Sequence, residues 1–81
     1  MPLNLASYQM KNKQNLEKRF PNISDWVNEQ GWIEIGSDEN SSSMVRVLDE
    51  GGLVWEGKSS YKTLDEALQE TEIAIADWLN N

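Results

Sequence analysis

Between Trp32 and Lys58 the chain is built from three short apolar-rich runs, and the spacing of its apolar residues changes after Thr63. The runs are Trp32-Ile33-Glu34-Ile35, Met44-Val45-Arg46-Val47-Leu48 and Leu53-Val54-Trp55. β-Branched and aromatic residues dominate them, which favours strands. The stretch Ser37 to Ser43 has no apolar residue and reads as a loop. Asp49-Glu50-Gly51-Gly52 reads as a hairpin turn, because glycine accepts the positive φ such turns need. The pattern predicts a three-stranded antiparallel meander.

Side chains alternate across a sheet, so the turns decide which residues share a face. With Leu48 opposite Leu53, Arg46 faces Trp55 and Val47 faces Val54. With Glu34 opposite Arg46, Trp32 faces Leu48 and Ile33 faces Val47. One face then holds Ile33, Ile35, Val45, Val47 and Val54, with Glu56 at its end. This aliphatic face is expected to lie under the helices. The other holds Trp32, Glu34, Met44, Arg46, Leu48, Leu53 and Trp55. Its row Glu34–Arg46–Trp55 suits an ion pair and a cation–π contact. The remaining apolar area is more than a monomer usually leaves open, so this face is a candidate contact surface, most simply for a twofold homodimer. A one-residue slip in register would exchange the faces on one strand.

The flanks read differently. Met1 to Ser7 is expected to be a loose tail. Tyr8 to Phe20 is polar with a thin apolar stripe, and Pro21 ends any helix it forms. Asn22 to Gln30 reads as a short helix. Asn22 or Ser24 would cap it, Asp25 suits its positive end and Gly31 is its stop. Ile23, Trp26 and Val27 share its sheet-facing side. Thr63-Leu64-Asp65-Glu66 is a capping box, and the helix it opens runs to about Leu79. Leu64, Ala67, Leu68, Thr71, Ile75 and Trp78 form its core stripe. Its outer face carries Glu66, Glu70 and Asp77 with Ile73 among them, and Ile73 is either a plain surface residue or a partner anchor. The expected fold class is α+β: a three-stranded meander with helices packed on one face, in the order α-(α)-β-β-β-α. Residues 1–13 are expected to be loose or partly helical, and 14–81 to form one domain.

Charge narrows the partners. The net charge of the 81 residues is -7. Up to residue 20, four bases oppose the single acid Glu17; from residue 21 onwards, Arg46, Lys58 and Lys62 oppose thirteen acids. The body of the domain should therefore repel nucleic acid and anionic membrane, and a basic protein is its natural partner. The plainer reading is that the acids maintain solubility. The chain has no cysteine, which fits a reducing cytoplasm. No apolar run approaches the roughly 20 residues of a membrane span, and Met1-Pro2-Leu3-Asn4-Leu5 does not resemble a signal peptide.

The sequence has neither histidine nor cysteine, so the usual metal ligands and nucleophile–base pairs are missing. The acid pairs Asp38–Glu39 and Asp49–Glu50 sit in polar loops where nothing would exclude water. The glycines bound strands and do not form a phosphate-binding pattern. We expect no enzyme activity and no cofactor. Trp32, Trp55 and Arg46 on an open sheet face could stack nucleobases, but the surrounding charge opposes it.

FPNISDWVNEQGWIEIG, followed by VRVLDEGGLVWEGKSSYKTLDEALQETEIAIADWL, resembles a family of short, uncharacterised, mostly cyanobacterial proteins. The resemblance implies one domain and no particular activity. Helix, three strands, helix is also the order of double-stranded RNA-binding domains, but the lysines those carry at the last helix start are replaced here by Thr63-Leu64-Asp65-Glu66-Ala67. The junction YKTLDEALQETEIAIADWL is similar to HicB-like antitoxins, in which a small sheet leads into such a helix. The leading expectation is a non-catalytic cytoplasmic protein that binds another protein or itself. The alternative is an antitoxin-like or regulatory protein that binds a basic partner through its acidic last helix. A nucleic-acid-binding domain comes third.

Overall fold

The computed structural model describes residues 3–4, 16–37, 39 and 41–80. Its elements are β1 (Leu3–Asn4), a helical turn over 16–19, α1 (Pro21–Glu29), β2 (Gly31–Ile35), β3 (Val45–Asp49), β4 (Gly52–Glu56) and α2 (Leu64–Leu79). The fold is α+β, and the expected meander β2–β3–β4 is present. β1 adds to its β2 edge, with Leu3 opposite Ile35 and Asn4 opposite Glu34. The rest of the segment 1–13, together with Asp38 and Asn40, lies outside the described residues.

β2 and β3 pair in the expected register: Trp32 with Leu48, Ile33 with Val47, Glu34 with Arg46, Ile35 with Val45. The hairpin to β4 also starts as expected, with Asp49 opposite Gly52 and Leu48 opposite Leu53. Gly52 takes a φ of 114°, a conformation that needs glycine. The Gly51 amide donates to Asp49 Oδ1 at 2.8 Å and tightens the turn.

The register then slips. Val47 lies opposite Trp55, and Arg46 lies opposite Glu56. Val54 is the extra residue of a β-bulge. This corrects two expected pairs, Arg46 with Trp55 and Val47 with Val54. Trp55 moves to the helix-covered face and Glu56 takes its place opposite Arg46. The physical reason is the adjacent pair Val54-Trp55. Strict alternation would send one of them away from the core, whereas with the bulge both pack against it.

Ile33, Val45 and Val47 are fully buried on the aliphatic face, as are Ile23 and Ile75 above them, with Trp26 and Leu68 nearly so. α1 starts one residue earlier than expected, at Pro21. Phe20 holds its N-cap position and supplies no side-chain bond, so neither Asn22 nor Ser24 caps it. The cap comes from α2. Glu72 accepts from the Asn22 amide (2.9 Å), the Ile23 amide (2.9 Å) and Asn22 Nδ2 (2.7 Å). Three donors at the positive helix end meet one carboxylate. The helix ends just before Gly31, as expected, although Gly31 does not take the positive φ of a left-handed cap. Gly31 opens β2, where a Cβ would run into the Leu48 carbonyl and the Trp26 indole. That indole donates to the same carbonyl at 3.0 Å and ties α1 to β3.

In α2, Thr63 Oγ1 accepts from the Glu66 amide at 3.1 Å, the first half of the expected capping box. Ala67, Leu68, Thr71 and Ile75 are buried. Leu64 and Trp78, expected on the same stripe, are each 47% exposed. Trp78 still meets Trp26 edge-on, with centroids 5.2 Å apart.

Candidate functional site

The second sheet face is organised around Arg46, which is only 5% exposed. Its Nε donates to Glu34 Oε1 at 3.1 Å. Nη1 donates to the Ser43 carbonyl (2.6 Å), Ser41 Oγ (3.0 Å) and Ser43 Oγ (3.2 Å), and Nη2 donates to the Gly36 carbonyl (2.7 Å). The serine loop therefore cradles the guanidinium. All three guanidinium nitrogens are engaged, Nη1 by three acceptors and Nε and Nη2 by one each, and the group is buried, which leaves little to offer a partner. The expected cation–π contact with Trp55 does not form, because Trp55 is on the opposite face. Trp32, Met44 and Leu48 are half-buried, and the Trp32 indole lies 3.4 Å from Glu34 Oε2. Leu53 is 54% exposed.

On the helix side, an open groove of about 430 Å³ runs between β4 and α2. β4 contributes Val54 and Trp55, both turned there by the bulge. α2 contributes Glu70, Ile73, Ala74, Asp77 and Trp78. Their spacing of three, four, seven and eight residues makes one continuous stripe of the helix. Ile73 is 62% exposed and Trp78 47%, so the groove has apolar walls open to solvent.

The five acids of α2 divide by flank. Asp65 and Glu72 face residues 16–23, where Asp65 pairs with Arg19 and Glu72 caps α1. Glu66, Glu70 and Asp77 lie on the other flank, and Glu70 and Asp77 line the groove. Glu70 accepts from the Tyr61 hydroxyl at 2.7 Å, and that hydroxyl accepts from the Lys58 amide at 2.9 Å. Burial, and then the bond to Glu70, push the Tyr61 pKa above its usual value. Among the described residues, neither Glu66 nor Asp77 has an ion-pair partner.

Of the expected acidic face, Glu70, Ile73 and Asp77 lie in the helix wall of the groove, and Glu66 is on the same flank of α2 but outside the lining. The expected sheet face is not one surface: it loses Trp55, and Arg46 is buried. Sequence reasoning missed Val54, Ala74 and Trp78 as groove residues. The helical spacing of Glu70, Ile73, Ala74, Asp77 and Trp78 was the available signal.

No helix among the described residues is long and apolar enough to cross a membrane. No protein-family model, curated protein or solved structure matches the chain significantly.

Proposed function

We propose that this protein is a non-catalytic, cytoplasmic interaction module that docks a basic, partly apolar segment of another protein in the groove between β4 and α2. The observation that carries this reading is the division of the α2 acids. Two are engaged inside the fold, whereas the groove flank keeps its acids beside exposed Ile73 and Trp78 with no base in the lining. Acids kept only for solubility need not border an apolar groove. An apolar centre with a charged rim is the usual anatomy of a protein contact. Neutralising a basic partner through α2, in the manner of the antitoxins its last helix resembles, is one form this function would take.

Affinity capture with the wild-type chain, Ile73→Glu and Leu53→Glu, at low and high salt, tests the reading. A basic protein should be retained by wild type and Leu53→Glu, lost by Ile73→Glu and weakened by salt. Retention by Ile73→Glu would refute the groove. Self-association across the Trp32, Leu48 and Leu53 face is the second reading, favoured by the exposure of Leu53. A concentration-dependent dimer that Leu53→Glu dissociates would establish it in place of the first.

A further inference from the structure

β4 is the last strand of its sheet among the described residues. The backbone N–H and C=O groups on its outer side therefore have no strand partner there, and they belong to the strand whose Val54 and Trp55 line the groove. Such an edge beside an apolar groove walled by a helix supplies both things an extended peptide uses. The edge gives main-chain hydrogen bonds, and the groove receives every second side chain.

We infer that the partner segment, on the interaction reading above, docks as an added strand on β4, and that the alternate side chains it turns into the groove include both an apolar residue for Ile73 and Trp78 and a Lys or Arg for Glu70 and Asp77. Charge selects this occupant. A second copy would bring Glu56, Glu70 and Asp77 against their own counterparts, with no base in the groove to offset them. A basic segment meets Asp77, which has no ion pair among the described residues, and Glu70, which Tyr61 holds in place. A helical occupant would fill the groove but leave the β4 edge unpaired. The Val54 bulge fits the same picture. It points Val54 and Trp55 into the groove, and by interrupting the edge it limits pairing to a short segment instead of open-ended sheet growth.

The test uses the full chain and two synthetic probes: a seven-residue extended peptide with Lys and Val at alternate positions of one face and Thr between them, and a helix-forming Lys–Leu peptide of equal charge. A third version of the extended peptide is N-methylated on the amides that would face β4. Affinity is measured at two salt concentrations, alongside amide hydrogen exchange of residues 52–56. The inference expects the extended peptide to bind more tightly at low salt and to slow exchange at outward-facing β4 amides. N-methylation and Ile73→Glu should each weaken it by about tenfold or more, a change of about 1.4 kcal/mol. If peptides bind in an Ile73-dependent way but β4 exchange is unchanged and N-methylation has no effect, strand addition is overturned and the groove reading stands. If neither peptide binds, or Ile73→Glu changes nothing, both fall.

Discussion

The two pairings of β3 use similar residues and differ in kind. Towards β2 every residue from Gly31 to Ile35 has its opposite number, and one face of the ladder is locked by Arg46. Towards β4 the ladder slips at Val54, and the apolar residues beside the slip stay half-exposed. In the first pairing a buried charge and its acceptors define a single register, since any shift would strand the guanidinium. In the second, packing of Val54 and Trp55 outweighs regular alternation and leaves an open groove. The regular half carries the fold, and the irregular half carries the surface available to a partner.

The largest effect should come from the tie between α1 and the regular half. Trp26 is buried to 1% exposure and donates to the Leu48 carbonyl. Trp26→Ala should cost about 3–5 kcal/mol in urea unfolding. A cost under about 1 kcal/mol would mean that α1 does not anchor the sheet.

Arg46 sharpens the contrast between the two ladders. Arg46→Leu removes the donor to two backbone carbonyls, two serine hydroxyls and Glu34, and should cost about 2–3 kcal/mol. Much of the Glu34 charge stays in contact with water, so the ion pair itself adds little. A double-mutant cycle of Arg46→Leu with Trp55→Leu should show coupling within about 0.5 kcal/mol, because the bulge puts the two on opposite faces. Strong coupling would restore the unbroken register and remove the bulge.

Much of this was legible from residue types, and the failures have identifiable causes. The β2–β3 register follows from placing Glu34 beside Arg46 and Ile33 beside Val47. The hairpin follows from Gly51-Gly52. The bulge is hidden because Val54-Trp55 satisfies an alternating strand as well as a slipped one. The Arg46 cradle is hidden because two of its acceptors, the Gly36 and Ser43 carbonyls, have no signature in side-chain identity. The role of Glu72 is hidden because it belongs to α2 but serves the N-terminus of α1, about fifty residues earlier in the chain. A hint was present: Pro21 opens α1 behind Phe20, a residue with no capping oxygen, so the first amides needed an acceptor from elsewhere.

The two flanks of α2 provide a smaller contrast. Glu72→Ala should cost about 1–2 kcal/mol, the value of a helix cap. Asp77→Ala, on the groove flank, should change stability by less than about 0.5 kcal/mol. Equal costs would contradict the division of the acids.

The smallest effect is in pH. The Tyr61 pKa is raised in the folded state, so the unfolded chain loses this proton first as pH rises. The contribution is fully present below the ordinary tyrosine value of 10.0 and declines as pH rises through the higher folded value. Wild type should therefore lose stability more steeply than Tyr61→Phe above pH 10.0. Parallel curves would remove Tyr61 from the device that holds Glu70.

Paired titrations of the Lys–Val peptide into Ile73→Glu and Leu53→Glu test the central claim most directly. Both substitutions place a charge at an exposed apolar residue, one on the groove and one on the opposite face. The account predicts that Ile73→Glu weakens binding about tenfold or more while Leu53→Glu binds as wild type does. Loss of binding in Leu53→Glu with full binding in Ile73→Glu would contradict it and move the contact surface to the Arg46 face.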